Sequence, residues 1–237
     1  MYKNKTFLAI IAARGGSKRL PKKNILNLAG KPLISWTIEA GIGSKYIDEV
    51  MVTTDSKEIY HISKEYGANV PFLRPKELAT DLASRQNVIK HTLNFYKKTL
   101  KKHYDYIIYL QPTSPLRMSK DIDDAIEYMF NKNADAIVSV CELEYPYSWS
   151  GGLPKSKNMS SFLANASIHS RSQDLAIGYR LNGAIYICDT NLFLKEGCLF
   201  LKKNIFAFEM KKNISVDIDI ESDFLYAEFL MERRYSF

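Results

Sequence analysis

Short apolar runs alternate with segments of helical period along most of this chain, and that alternation leaves few folds open. Residues 7–13 run Phe-Leu-Ala-Ile-Ile-Ala-Ala without a polar interruption, the pattern of a strand buried on both faces of a parallel sheet. Helical periodicity follows over residues 31–44, then a strand over 49–54 and a helix over 56–66 that stops at Gly67, a residue suited to the turn past a helix end. After a connector through Pro71 and Pro75, the pattern predicts a long helix over 84–102, a strand over 104–110, a helix over 120–131 and a strand over 134–141. Residues 183–188 and 205–210 read as further strands and 221–233 as a closing helix. The expected class is α/β: a doubly wound, mostly parallel, Rossmann-like sheet in one domain over residues 1–237. Regularity fails over 144–180, and so long an irregular stretch inside a domain carries either function or a small structure of its own.

The first strand runs into Ala13-Arg14-Gly15-Gly16-Ser17-Lys18-Arg19-Leu20-Pro21-Lys22-Lys23-Asn24. Glycines at a sheet's carboxyl end let backbone N–H groups approach an anion, and five cations in twelve residues suit a triphosphate. The spacing is neither Gly-x4-Gly-Lys-Ser/Thr nor Gly-x-Gly-x-x-Gly. A net charge of +7 raises the question of nucleic acid. Much of the excess lies at residues 96–103, the solvated end of a helix, and the loop's share is explained by a small polyanion, so no nucleic-acid partner is expected. No apolar run approaches membrane-spanning length and no signal-peptide core precedes the first strand, which predicts a cytoplasmic protein with no membrane partner. Cys141, Cys188 and Cys198 lack zinc-ligand spacing and an even count; Cys141 and Cys188 lie in apolar runs, as inert buried thiols do. The four histidines show no metal-ligand spacing and no paired nucleophile.

Near the carboxyl end, Ser215-Val216-Asp217-Ile218-Asp219-Ile220-Glu221 alternates. In an extended chain Asp217 and Asp219 share one face while Val216, Ile218 and Ile220 share the other. Two carboxylates aimed at one space need a cation, and Mg2+ takes one or two carboxylates together with substrate phosphates. The same alternation also describes a half-exposed edge strand with solvated acids. Gln111, in Leu110-Gln111-Pro112-Thr113-Ser114-Pro115-Leu116-Arg117, follows a strand end, where open sheets bind ligands, and its amide offers both donor and acceptor. Arg117 reads as a support for that loop.

Taken in order, these blocks resemble the CMP-sialate synthetase family of sugar nucleotidylyltransferases. The resemblance rests on the Arg14 to Asn24 loop, Gly30-Lys31-Pro32-Leu33-Ile34, the Phe72-Leu73-Arg74-Pro75 to Ser84 block, the Gln111 block, Arg171-Ser172-Gln173-Asp174-Leu175, Arg180-Leu181-Asn182-Gly183-Ala184-Ile185-Tyr186 and Val216-Asp217-Ile218-Asp219. It implies a cytidylyltransferase that joins CTP to an acidic nine-carbon 2-keto sugar of the N-acetylneuraminate or legionaminate type and releases pyrophosphate. Pseudaminate and 3-deoxy-octulosonate are the alternative acceptors, and a nucleotide-sugar-dependent glycosyltransferase or a non-catalytic nucleotide binder is the more distant reading.

The resemblance implies catalytic roles for Arg14, Lys23, Asp217 and Asp219, with Mg2+ on the two aspartates. It puts Ala13, Arg14, Gly15, Ser17, Lys18, Lys23, Asn24, Arg74, Ala83 and Arg85 at the nucleotide, and Gln111, Arg171, Arg180, Asn182, Tyr186, Leu199 and Phe200 at the sugar. Residues 144–180 correspond to an arm that exchanges between two protomers, which implies a homodimer. Two departures stand out. Arg85 occupies a position where the family carries serine, and Ser172 one where it carries arginine, with Arg171 one place earlier.

Overall fold

A computed structural model describes residues 1–165, 171 and 174–234. Ser172 and Gln173 of the Arg171 motif lie outside these residues. In β1 (Phe7–Ala12), Phe7, Ala9 and Ile11 enter one apolar cluster while Leu8 and Ile10 enter another, and all five are fully buried. Both faces of the sheet are therefore covered. β2 (Asn27–Leu28) and β3 (Lys31–Pro32) then form a two-residue hairpin. Helix α1 (Leu33–Ile42) begins after it, not at residue 31, because Lys31 is paired with Leu28 and a residue before proline favours extended backbone.

β4 (Glu49–Thr53) and α2 (Lys57–Glu65) follow, with Ser56 capping α2 and Gly67 at φ +89° beyond its end. α3 (Arg85–Phe95), capped by Ser84, passes into a single π turn over Tyr96–Leu100 where the sequence period predicts continuous helix. The hydroxyls of Tyr96 and Tyr104 each donate to Glu49 at 2.5 Å. The two hydroxyls share one carboxylate across the helix's end, and β5 (Tyr106–Leu110) begins two residues later than the pattern predicts. After α4 (Ser119–Asn131) and β6 (Ala136–Glu142) come α5 (Ser160–Asn165), β7 (Tyr179–Asp189), α6 (Thr190–Glu196), β8 (Ile205–Glu209) and α7 (Glu221–Arg234). Asp189 caps α6 by accepting from the Leu192 N–H at 2.9 Å, and Gly197 ends it at φ +73°.

The sheet order is β4-β1-β5-β7-β6-β8. β4, β1 and β5 run parallel, as do β6 and β8, while β7 is antiparallel to both its neighbours. Side chains from α1, α2 and α4 pack on one face and from α3 and α6 on the other. This is the doubly wound, mostly parallel sheet expected. A third cluster fastens Ala227 and Met231 of α7, with Val216 and Ile218, onto Leu28 and Leu33. The carboxyl ends of β1, β4 and β5 and the beginning of β7 consequently meet along one edge. Val138 pairs with Tyr186 but Val140 with Leu181, so the ladder slips around Asn182 and Gly183.

Candidate active site

A cavity of about 430 Å³ opens at that edge. The loop after β1 lines it with Arg14, Lys18, Arg19 and Lys23, and the other wall is Tyr109, Gln111 and Thr113. Gly15 has a steric reason to lack a side chain: a Cβ there would sit 3.0 Å from Ser56 Cβ, at the start of α2. Two of the loop's N–H groups are already occupied. The Gly15 N–H donates to Asp55 Oδ1 at 3.0 Å and the Ser17 N–H to the Gly15 carbonyl at 3.1 Å. Asn24 ties the loop's two ends by donating to the Arg14 carbonyl at 3.1 Å, and Ala13 is buried beneath it.

The cations are paired across the cavity. Asp81 receives Arg14 at 2.7 Å and Lys18 at 2.5 Å, and Asp219 receives Arg19 and Lys23, both at 3.2 Å. Hydrogen bonds from Lys18 and then Arg14 hold the Asp81 carboxyl below its ordinary range. From sequence Arg19 counts only among the loop's cations, and Asp81 is not singled out. Arg19 belongs to the cationic loop and Asp81 to the Arg74 block, but their convergence depends on how two loops fold against each other.

Asp217 and Asp219 stand on an extended segment that forms no ladder. Val216 and Ile218 bury beneath it, the Ile218 N–H donates to the Thr113 carbonyl at 2.8 Å, and the N–H groups of Asp219 and Ile220 donate to Asp223 at 2.9 and 3.0 Å. Asp217 Oδ1 is buried with no hydrogen-bond partner. Burial raises the Asp217 pKa, repulsion from Asp219 adds to this, and Thr113, Lys23 and Gln111 oppose it. A buried carboxylate oxygen left without a donor, beside a second carboxylate, is a donor set that fits a hard divalent cation. Among the described residues no cluster of three or more His, Cys, Asp or Glu side chains could hold an ion by protein alone.

Other expected residues divide between cavity and scaffold. Arg74 is buried and spends its guanidinium on Thr53, donating from Nε to the hydroxyl at 3.1 Å and from Nη2 to the carbonyl. The Ala83 N–H is taken by the Thr80 carbonyl at 3.2 Å. Arg85, expected at the nucleotide, donates to Gln111 Oε1 at 3.0 Å. Asn182 is 1% exposed, accepts from Ser139 at 2.6 Å and donates to Ser215 Oγ at 2.9 Å, so its side chain braces β7 and does not face the cavity. Arg180 donates to the Ser215 carbonyl at 3.3 Å. Leu199 is core, while Tyr186 carries the half-exposed Phe200 edge-on at 5.7 Å. Arg171 is exposed. Arg117 is the loop support anticipated: fully buried, it donates from Nη1 to the carbonyls of Ser114, Gln111 and Ala184, and burial lowers its pKa to about 10. Cys141 and Cys188 are buried, and burial pushes the Cys188 thiol up to about 12, which leaves it inert at neutral pH.

The model of the cytidylyltransferase family matches residues 8–236. The pseudaminic acid cytidylyltransferase of Campylobacter jejuni serotype O:2 is 36% identical over 94% of this chain and 95% of its own length. The CMP-N,N'-diacetyllegionaminic acid synthase of Legionella pneumophila is 34% identical over 95% of this chain and 96% of its own. The N-acylneuraminate cytidylyltransferase of Escherichia coli O18:K1:H7 is 37% identical over 96% of this chain but only 52% of its own length. Among solved structures, CMP:2-keto-3-deoxy-manno-octonic acid synthetase complexed with CTP superposes with a TM-score of 0.68 at 18% identity, covering 97% of this chain and 99% of the other.

Proposed function

The chain belongs to the cytidylyltransferase family, and from that premise we propose that it transfers the cytidylyl group of CTP to an acidic nine-carbon 2-keto sugar. Relatives named for pseudaminic, legionaminic and N-acylneuraminic acids share 34–37% identity with it. They have the acidic nonulosonate in common and differ in its substituents. The observation that carries the reading is one side chain: Lys23, in the triphosphate loop, reaches both Ile218 O at 2.6 Å and Asp219 at 3.2 Å. The loop's cations and Asp219 thus line one cavity, with the buried Oδ1 of Asp217 two residues away on the same segment.

In the reaction the sugar's anomeric hydroxyl oxygen forms a bond to the α-phosphorus and gives up its proton to Asp219 or a water beside it, while the bond to the bridging oxygen of the β-phosphate breaks and pyrophosphate leaves with that electron pair. Arg14, Lys18 and Lys23 hold the triphosphate and stabilise the charge gathering on the departing oxygens. Asp217 and Asp219 would hold Mg2+, which when bound supplies neutralisation of the phosphate charge. Gln111, at the end of β5, faces the same space and serves the sugar. The test is pyrophosphate release from CTP over a panel of nonulosonic acids, with and without Mg2+. Release with no member of the panel would sink the reading.

The reading includes a homodimer built through residues 144–180. Its support is the exposed apolar set Tyr145, Tyr147, Leu153 and Ile177, between 65% and 76% exposed, in that stretch. Sedimentation equilibrium checks it: a monomer at micromolar concentration would contradict it. A reaction fed by CTP fits a cytoplasmic enzyme, and among the described residues no helix is long and apolar enough to cross a membrane.

A further inference from the structure

Arg85 opens α3, two residues beyond Ala83, yet its side chain lies against β5 and β7. Tyr109 and Tyr186 are direct partners across those two strands, their ring centroids 6.2 Å apart at 60°. The Arg85 guanidinium covers the pair, with Cζ 5.0 Å from the Tyr109 centroid and 4.8 Å from that of Tyr186. A planar cation resting on two aromatic faces loses little further freedom when it donates a hydrogen bond. It donates from Nη2 to Gln111 Oε1 at 3.0 Å.

That bond decides which way the Gln111 amide faces. An amide carries its acceptor on one end and its donors on the other, and the two orientations are nearly equal in shape. With Oε1 committed to a cation, Nε2 is the end turned toward Gly183 and Asp217. Gly183 is at φ +77°, and a Cβ there would lie 2.6 Å from Gln111 Nε2. The slipped ladder around Gly183 therefore leaves a space that only a glycine keeps open for this amide. Hydrogen bonding from Gln111 is one of the influences that favour the charged form of Asp217. The Gln111 carbonyl is held as well, by Arg117 and Thr37, each at 3.3 Å.

We propose that Arg85 is a positioning residue for the acidic sugar and not a contact of the nucleotide: by holding Oε1 it locks the Gln111 amide with its N–H donors toward Gly183 and Asp217, and so sets the face that Gln111 presents to the sugar. This rests on the assignment of Gln111 to the sugar. It also explains why a long cation can stand here. The guanidinium is stacked on the two tyrosines and donates to an amide oxygen.

The experiment is a double-mutant cycle of Arg85→Ala and Gln111→Ala, read as separate Michaelis constants for sugar and CTP. Arg85→Ala should raise the sugar KM about tenfold, move the CTP KM less than twofold and add little on a Gln111→Ala background. Arg85→Lys, which keeps the charge, should recover part of the loss. Effects of the two substitutions that simply multiply, or a change confined to the CTP KM, would overturn the proposal. Side-chain amide resonances of ¹⁵N-labelled protein give a readout free of turnover. The Gln111 pair, assigned by its loss in Gln111→Ala, should move in Arg85→Ala, and an unmoved pair would overturn the lock. Failure of the wild type to release pyrophosphate with any sugar would instead count against the proposed function, leaving the resonance result to judge Arg85.

Discussion

Lys23 Nζ donates to the backbone carbonyl of Ile218, the residue between the two aspartates, at 2.6 Å across a sequence separation of 195 residues. The side chain is only 11% exposed, so the ammonium is committed to this junction before any substrate arrives. Lys23→Ala should lower kcat/KM for CTP by on the order of ten- to a thousandfold, because one charge-assisted contact in a closed site is worth roughly 1.5–4 kcal/mol. Arg14→Ala should fall in the same range. Steady-state kinetics with CTP varied at saturating sugar measures both, and a change confined to the sugar KM would show that the loop serves the other substrate.

Asp217 yields two opposite expectations. Asp217→Asn and Asp219→Asn should each abolish most Mg2+-dependent turnover, since the amide keeps the shape and loses the charge. In chelator, however, Asp217→Asn should raise Tm at pH 7. A carboxyl whose folded-state pKa is raised stabilises the fold fully only below its unfolded pKa near 3.8, and the contribution is lost as pH rises through the folded value. The gain in Tm should therefore shrink as pH falls toward 4. Thermal melts at both pH values decide it, and an equal gain at each would remove burial of the charge as the cause.

Asp81 occupies Arg14 and Lys18, two cations assigned to the triphosphate. CTP must displace it. Asp81→Asn should tighten CTP binding several-fold in calorimetry at pH 7 and equally at mildly acidic pH, because the pairs keep the Asp81 carboxylate ionised below its ordinary range. Weaker binding would mean that Asp81 orders the loop more than it competes.

Gly183→Ala places a Cβ at 2.6 Å from the Gln111 amide nitrogen and strains a backbone at φ +77°. It should cost about 1–3 kcal/mol of stability and raise the sugar KM more than the CTP KM. Denaturant unfolding and kinetics on the same preparation check both halves.

The sheet and most of its helices were legible because periods of two and 3.6 survive in single sequence wherever one face is buried. Where polar side chains settle an element's end, the period misleads. Glu49, forty-seven residues upstream of Tyr96, takes the hydroxyl that accompanies the end of α3, and no local pattern reports that. Helix α6 was legible, with Asp189 before it and Gly197 after it, but its short span lay between two apolar strands and went unread. At the site, the loop cations and the alternating aspartates could be picked out from sequence as candidates. The roles of Asn182 and Arg85 could not: both have plausible polar ligands in sequence, and only the fold spends one on Ser139 and Ser215 and the other on Gln111.

Strand β7 runs against its neighbours, so it enters the edge that carries the cavity where β1 and β5 leave it. On the proposed assignment, the cations that hold CTP lie before residue 86, while Arg180 closes the 144–180 stretch and Tyr186 follows it on the same strand. Acceptor choice then behaves as a cassette: exchanging residues 144–200 between relatives, with Gln111 and its partner at position 85 carried along, should transplant sugar preference while the CTP apparatus stays in place.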